Sequence, residues 1–222
     1  MIELGRDICN QADAALSREW LVTNGIGGYA AGTVAGALTR SYHGLLVAAL
    51  GPPLGRTLLL AKLDESVQYG GETYSLFANQ WNPETIEPRG FIHLDRFHLE
   101  GTTPVWTYAL GDALLKKRVW MGSGANTTYL RYDFFRGSDS LALRLKAIVN
   151  HRGHHGGPGL GDESMQVERV EDGLRFQPGE QADPFYLLGD RAEAEPKHEW
   201  YRDFYLREEA YRGLEPWDDH LY

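Results

Sequence analysis

Residues 128–150 read TYLRYDFFRGSDSLALRLKAIVN, and this stretch decides the fold class. In its first half, apolar and aromatic side chains occupy every second position at Leu130, Tyr132 and Phe134. The second half repeats that spacing from Leu141 to Val149. A period of two is typical of a strand with one buried face. The residues between the two halves have the length of a tight turn, so the sequence predicts a β-hairpin here.

Short strand-like runs of the same kind precede this stretch. They cover residues 44–50, 57–63, 104–110 and 114–121, and Gly-Pro-Pro, Gly-Gly and Gly-Asp turns separate them. No amphipathic helix lies between the runs, which favours antiparallel sheets over alternating strands and helices. The predicted fold is therefore all-β, with two packed sheets of many strands.

Two segments depart from this strand pattern. The glycine-rich run HRGHHGGPGLG at 151–161 predicts a mobile surface loop within one domain. After residue 190 the alternation loosens, and 199–211 is the one good helix candidate. We therefore expect a β domain over 1–190 and, over 191–222, a connecting segment that packs against another domain.

The charge of the chain limits its partners. The net charge is −9, and residues 162–222 hold 17 acidic but only 7 basic side chains. This excess argues against a nucleic-acid partner, because phosphate binding requires a basic face. The single cysteine, Cys9, fits a reducing compartment. Neither a secretory leader nor an apolar run of about 20 residues is evident, so we expect a cytoplasmic protein without membrane contact.

The most unusual part of the sequence is the glycine-rich stretch within residues 19–48. It lacks the helix, the acidic residue and the Gly-Lys-Ser/Thr signature that nucleotide-binding loops require. One interpretation is a tight, twisted hairpin, because glycine adopts positive φ freely. The other is a functional surface, since Arg offers a planar fork of donors and Tyr a ring tipped by a hydroxyl. Its candidate residues are Asn24, Gly25, Gly27, Gly28, Tyr29, Arg40, Tyr42 and His43.

Acidic doublets at 64–65, 208–209 and 218–219 are the obvious carboxylate pairs. Glycoside hydrolysis requires two carboxylates at a fixed separation across one bond. Adjacent strand residues point to opposite faces, so these doublets are poor catalytic dyads. We expect them to be solvated charges or ion-pair partners, and we predict no catalytic residue in this chain.

The histidines of the glycine-rich loop do not form a predicted metal site, and the C-terminal aromatic residues indicate contact with a partner domain. His151, His154 and His155 lie in a glycine-flanked loop without the rigid Cys or carboxylate ligands of a zinc site, so we expect neither a metal nor a cofactor. Four large aromatic residues crowd into a segment with little strand pattern, where we expect them to bury against another domain. They are Trp200, Tyr201, Tyr205 and Trp217.

Three long segments together resemble a known family. TNGIGGYAAGT and TRSYHGLLVA (within 23–48), then PPLGRTLLLAKLDESV (52–67), resemble the opening of the N-terminal domain of bacterial and archaeal glycogen debranching enzymes. HEWYRDFYLREEAYRGLEPWDDHLY (198–222) resembles the part of that family that precedes its catalytic domain. Between about 70 and 190 the likeness is mainly one of strand pattern. The resemblance implies a supersandwich like that of galactose mutarotase.

The resemblance also implies a function. In that family an (α/α)6 barrel follows this domain, carries the acid and base carboxylates and performs amylo-α-1,6-glucosidase chemistry. We therefore expect a non-catalytic domain that docks on the barrel of the same polypeptide and lines its cleft for glycogen or maltooligosaccharide. The alternatives are a free-standing carbohydrate-binding module and a mutarotase-like enzyme that pairs a histidine with a carboxylate. The candidates for that pair are His43, His93 and His98 with Asp64, Asp95 or Glu100.

Overall fold

A computed structural model describes residues 2–51, 55–156 and 165–222 of the chain, and strands dominate it. The strands are β1 (Glu3–Gly5), β2 (Glu19–Thr23), β3 (Tyr29–Thr33), β4 (Gly44–Gly51), β5 (Gly55–Tyr69), β6 (Glu72–Ser75), β7 (Ala78–Gln80), β8 (Ile86–Arg89), β9 (Leu94–Glu100), β10 (Thr103–Leu110), β11 (Ala113–Met121), β12 (Thr128–Arg136), β13 (Leu141–Gly153), β14 (Gln166–Val170), β15 (Gly173–Gln177), β16 (Phe185–Leu188), β17 (Trp200–Tyr205) and β18 (Trp217–Leu221). The helices are α1 (Arg6–Cys9), α2 (Ala12–Leu16) and α3 (Arg207–Tyr211), with one 3₁₀ turn at Gly90–His93.

Two large antiparallel sheets form the body of the fold. One has five strands in the order β1-β9-β10-β11-β12. The other has eight, in the order β17-β18-β13-β5-β4-β3-β2, with β6 paired to β5. Smaller sheets consist of β14-β15-β16 and β7-β8. The predicted all-β supersandwich of large antiparallel sheets is confirmed. The C-terminal segment, predicted to be helical or irregular, contains one short helix between two strands.

The amphipathic strands explain why the two sheets pack together. Along β11, Leu115, Lys117 and Val119 are buried, while Lys116 and Arg118, which alternate with them, are partly exposed. The buried side chains join one apolar cluster to which both sheets contribute. At its centre Trp20 of β2 and Trp106 of β10 meet edge to face, with their ring centroids 5.3 Å apart. Burial of apolar surface on this scale is the main favourable term in folding.

The N-terminal helices close one side of the sandwich. Asn10 donates hydrogen bonds from Nδ2 to the carbonyl oxygens of Phe91 and Leu94, at 2.7 and 2.9 Å. Cys9 is fully buried, and its thiol donates to the carbonyl oxygen of Leu4 at 3.4 Å. Burial raises the pKa of this thiol.

The predicted hairpin over 128–150 is wrong, although both of its strands exist. β12 pairs with β11 in the five-stranded sheet, whereas β13 pairs with β5 in the eight-stranded sheet. The connection between them therefore crosses from one sheet to the other. Its path is fixed by Tyr69, whose hydroxyl accepts from the backbone N–H of Ser138 at 2.8 Å and donates to Asp112 at 2.7 Å. Long-range pairing has overridden the local turn signal.

The helix predicted over 199–211 is also wrong in its first half. Residues Trp200–Tyr205 form β17, and only Arg207–Tyr211 are helical. Asp203 has a φ of 64°, which an α-helix does not tolerate, and it lies at an irregularity in the pairing with β18. Phe204 points into a second apolar cluster on the outer face of the eight-stranded sheet.

The segment 191–222 joins the large sheet through β17 and β18, because β18 pairs with both β17 and β13. The division of the chain at residue 190 stays a prediction. The glycine-rich break begins later than expected, since β13 continues through Gly153. Residues 157–161 of that run lie outside the described part of the chain.

Candidate functional site

The turn that connects β3 to β4 organises the candidate site. His43 is buried within it, and its Nδ1 accepts a hydrogen bond from the backbone N–H of Thr39 at 3.2 Å. Its Nε2 lies 3.2 Å from Oε1 of Glu19, on β2. Because a backbone N–H can only donate, this pattern assigns the proton of the neutral ring to Nε2, where it faces the Glu19 carboxylate.

Glu19 also pairs with Arg40 of the same turn. The Arg40 Nε is 2.6 Å from Glu19 Oε1, and its terminal nitrogen is 3.6 Å from Glu208. The hydrogen bond from His43 and, secondarily, that from Arg40 lower the pKa of Glu19 to about 2, against the opposing effect of partial burial. The Arg40 guanidinium therefore lies between the carboxylates of Glu19 and Glu208 at the protein surface.

The C-terminal segment holds this turn in place through α3. The Glu209 side chain is only 2% exposed, and one of its oxygens accepts from both the backbone N–H and the hydroxyl of Ser41 at 2.9 Å. Its other oxygen accepts from Arg212 at 3.1 Å. The backbone N–H of Glu208 donates to the carbonyl of Thr39 at 3.0 Å.

A second clamp comes from β18. The buried Arg152 of β13 lies 2.7 Å from Asp218 and donates to the carbonyl of Ser41 at 3.1 Å. The two sequence segments with the strongest family resemblance, 23–48 and 198–222, therefore contact each other directly.

Aromatic and imidazole rings cover the other side of the turn. The Tyr42 ring stacks on His154 at a centroid distance of 4.5 Å, and its hydroxyl is 3.3 Å from Nδ1 of the exposed His155. The Tyr29 hydroxyl donates to the Tyr42 carbonyl at 2.8 Å and lies 2.9 Å from Nε2 of His154. Burial and the neighbouring His155 hold the pKa of His154 below its usual range. These rings form a continuous, partly exposed surface.

The predicted loop at Asn24–Gly28 is a rigid structural unit. Asn24 is buried; its Oδ1 accepts from the backbone N–H groups of Ile26 and Gly28, at 3.1 and 2.9 Å. A Cβ on Gly28 would come within 2.5 Å of the Asn24 side chain. Gly25 and Gly27 have φ values of 80° and 105°, which favour glycine. The tight-turn interpretation of these glycines therefore has a direct structural basis.

Arg56 connects this loop to the ring surface. Its side chain donates to the carbonyl of Gly27 at 2.6 Å, and its own carbonyl accepts from the backbone N–H of His154 at 2.9 Å. The predicted residues of the N-terminal stretch thus lie in one neighbourhood.

The four predicted C-terminal aromatic residues divide between two places. Tyr201 packs against Tyr222 at a centroid distance of 4.7 Å, beneath the ammonium group of Lys146. Tyr205 and Trp217 pair at 5.1 Å, and Trp217 remains 38% exposed. Trp200 is half-buried against the main apolar cluster.

One or both residues of each acidic doublet are buried ion-pair partners, while Glu208 and Asp219 are partly exposed. Asp64 lies 3.0 Å from Lys62, and Glu65 lies 2.6 Å from Lys117. Glu209 and Asp218 hold the turn, as described above. The sequence predicted ion pairing as one of two roles for these residues, but it did not identify the partners, which are separated by up to 168 residues.

The structure pairs some of the histidines considered for acid–base chemistry. His98 lies 3.4 Å from Glu100, whereas His43 faces Glu19, a carboxylate that the sequence pattern had not singled out. Within residues 2–51, 55–156 and 165–222, no group of three or more His, Cys, Asp or Glu side chains is arranged to hold a metal ion. The charged groups and rings around the turn offer neighbouring donors and acceptors, which suit the hydroxyl groups of a sugar.

None of the helices in the described residues is long and apolar enough to cross a membrane.

No curated protein and no solved structure matches the chain significantly. The family model for the N-terminal domain of glycogen debranching enzymes matches residues 18–222, which include every element of the candidate site. The chain therefore belongs to the glycogen debranching enzyme N-terminal family.

Proposed function

We propose that this domain is non-catalytic, docks on an (α/α)6 catalytic barrel of the same polypeptide and helps to form its glucan-binding cleft. Family membership supports a role in a cytoplasmic enzyme that cleaves the α-1,6 branches of glycogen. In this proposal the barrel supplies the catalytic carboxylates, and the domain supplies contacts to the barrel and to the glucan.

The observation that carries the proposal is the joint between the β3–β4 turn and the C-terminal segment. Next to the α3 clamp, the chain exposes three large apolar side chains in close succession: Tyr211 is 88% exposed, Leu214 51% and Trp217 38%. Exposed apolar groups concentrated in this way are typical of a protein–protein contact. The joint is held by buried ion pairs, so it presents this surface in a fixed orientation.

The ring surface beside the joint supports the glucan part of the proposal. Tyr42 and His155 offer partly exposed rings on which the C–H face of a glucose unit can stack. Glu19 and Arg40 pair with each other at 2.6 Å, and the carboxylate and the guanidinium each carry further acceptor or donor atoms that can bind sugar hydroxyl groups. Neutral sugars require such hydrogen bonds rather than a strong net charge.

The test uses the polypeptide that carries this domain together with its catalytic barrel. We expect Arg40→Ala and Tyr42→Ala each to lower kcat/KM on a branched glucan by about tenfold, which equals about 1.4 kcal/mol. His43→Ala should lower both activity and stability, because it leaves the buried N–H of Thr39 unpaired.

The matched control is Arg6→Ala, since Arg6 of α1 also forms an exposed ion pair, at 2.8 Å from Asp95 on β9 of the five-stranded sheet. Wild-type activity in Arg40→Ala, Tyr42→Ala and His43→Ala would contradict the proposed role of this surface. Thermal unfolding of each variant separates a loss of contact from a loss of folding.

The ring surface also favours a second candidate, a free-standing carbohydrate-binding module. This candidate requires the isolated chain to bind maltoheptaose by itself, with measurable heat in titration calorimetry. Binding by the chain, abolished by Tyr42→Ala, would support the module. If only the joined polypeptide binds, the shared-cleft proposal is favoured.

A further inference from the structure

The outer edge of β12 is an exposed strand edge rich in aromatic residues. β12 is the last strand of the five-stranded sheet, and within the described residues its ladder partner is β11 alone. Its exposed side chains include Tyr129 at 47%, Phe134 at 43% and Phe135 at 70%. An unpaired edge of this kind is a template for pairing with another strand.

The side chains of β12 alternate between its two faces as far as Phe134, and Phe135 lies at a bulge in the pairing with β11. Leu130 and Tyr132 pack against the core, and the Tyr132 hydroxyl donates to Glu65. On the opposite face Arg131 lies 2.7 Å from Asp133, with Tyr129 and Phe135 beyond them on either side. The outward row of the strand thus reads aromatic, positive, negative, aromatic.

We infer that β12 pairs with β12 of a second copy of this chain, in an antiparallel arrangement with its two-fold axis at Tyr132. In this register Arg131 lies opposite Asp133 of the other copy, and Asp133 lies opposite its Arg131. Directly opposite residues in an antiparallel pair share one face, so both ion pairs form on the outward row. The order of charges along β12 is self-complementary.

The same register also matches the apolar residues. Leu130 lies opposite Phe134 on the inward face. Tyr129 comes close to Phe135 on the outward face, where β12 bulges against β11. Aromatic and apolar cross-strand pairs each stabilise a sheet by up to about 1 kcal/mol. Charged residues on an edge usually prevent self-association, but a row with alternating signs meets its complement in a second copy.

This interface is independent of the proposed glucan surface, because β12 belongs to the five-stranded sheet and the β3–β4 turn to the eight-stranded sheet. Association through β12 would join the five-stranded sheets of two copies into one continuous sheet. The inference therefore stands or fails separately from the role in debranching.

Sedimentation velocity on the full chain tests the inference over about a hundredfold range of protein concentration. We expect a concentration-dependent species of twice the 25.0 kDa chain mass. Phe135→Arg and Arg131→Asp should each raise the dissociation constant by at least about tenfold. The control Ile92→Arg changes an apolar side chain that is also 52% exposed but lies outside the edge, and it should leave the dimer intact.

Mixing two variants tests the register itself. Arg131→Asp and Asp133→Arg each place like charges opposite each other in their own homodimers, so each should be monomeric. A mixture of the two restores opposite charges at both positions and should form a heterodimer. Circular dichroism verifies that Asp133→Arg folds, since Asp133 also pairs with Arg118 at 2.6 Å. A wild-type chain that stays monomeric, or a dimer that survives both Phe135→Arg and Arg131→Asp, would overturn the inference.

Discussion

The contact between Glu19 and His43 shows how single residues set the chemistry of the β3–β4 turn. The backbone of Thr39 fixes the ring orientation, and the ring in turn donates to the carboxylate. Arg40 adds a second donor to the same oxygen. This arrangement keeps Glu19 ionised and oriented even though it is partly exposed to solvent.

The depressed pKa of Glu19 predicts a specific pH dependence of stability. Its folded-state pKa of about 2 lies below the ordinary value of 4.5, so its stabilising effect is complete above pH 4.5 and is lost as the pH falls towards 2. Partly exposed ion pairs contribute about 1 kcal/mol at most. Urea unfolding of wild type and Glu19→Gln should therefore differ near pH 6 and converge near pH 2; a constant difference would contradict this assignment.

Individual residues of the candidate site were partly predictable from sequence. Arg40, Tyr42 and His43 are polar residues beside an apolar strand, and the structure brings them together with Tyr29 around one turn. Their role in binding stays a prediction. Their partners Glu19 and Glu209 could not be predicted, because the fold, and not the local sequence, brings them to the turn.

At the scale of elements, α3 acts through a single buried side chain. Glu209 accepts from the N–H and hydroxyl of Ser41 and from Arg212, so both of its oxygens are satisfied inside the protein. The neighbouring Glu208 is 28% exposed in its side chain and lies 3.6 Å from Arg40. We therefore expect Glu209 to contribute more to the free energy of unfolding than its neighbour Glu208.

We predict that Glu209→Ala destabilises the chain by about 3 kcal/mol, because it leaves buried donors without an acceptor. Glu208→Ala is the matched control and should cost less than about 1 kcal/mol, as is usual for an exposed ion pair. Chemical denaturation measures the free energy of unfolding of both variants, and m-values equal to that of the wild type show that only stability has changed. Equal effects of the two substitutions would show that α3 does not clamp the turn.

The elements themselves were predictable where their hydrophobic pattern is regular. β12 and β13 are close to their predicted positions, because alternation alone identifies a half-buried strand. Their pairing was not predictable, since β5 offers β13 a partner 15 residues long that local turn chemistry does not reveal. The segment 199–211 was misinterpreted as a helix. Its first half is a strand because it pairs with β18, which lies outside that segment and leaves no mark on its local pattern.

At the scale of the whole molecule, one ion pair joins the two large sheets. Glu65 of β5 and Lys117 of β11 lie 2.6 Å apart inside the sandwich, and Glu65 also accepts from Tyr132. Burial and the adjacent Glu65 raise the pKa of Tyr132 well above its usual value, so its hydroxyl remains a donor. The sheets are thus held in register by polar contacts as well as by apolar burial.

Removing one partner of the Glu65–Lys117 ion pair should destabilise the folded chain. We predict that Lys117→Met destabilises the chain by about 3 kcal/mol, because it removes the ammonium group that lies 2.6 Å from the buried Glu65 carboxylate. The double variant Glu65→Gln with Lys117→Met should recover much of this loss, since the amide that replaces the carboxylate is neutral and its oxygen can still accept from Tyr132. A double-mutant cycle from urea unfolding gives the coupling.

Lys116→Met is the control for this experiment. Lys116 is the preceding residue of β11 but lies on the outer face of its sheet, over the Phe135 ring. Its replacement should change the unfolding free energy by less than about 1 kcal/mol. Additive effects of the Glu65 and Lys117 substitutions would show that the two side chains do not interact.

The all-β class was predictable because the strand alternation is regular. The family was predictable from the long segments at 23–67 and 198–222, and its model matches residues 18–222. The arrangement of strands into unequal sheets was not, since pairing between distant segments leaves no mark on either one alone.

The complete burial of Cys9 has a practical consequence. It is the single cysteine of the chain, and its protonated, enclosed thiol is a poor nucleophile towards alkylating reagents. Modification therefore has to wait until the N-terminal helices detach from the sandwich. The rate of thiol labelling in native buffer would then report how often this region opens, with no need to engineer a probe into the protein.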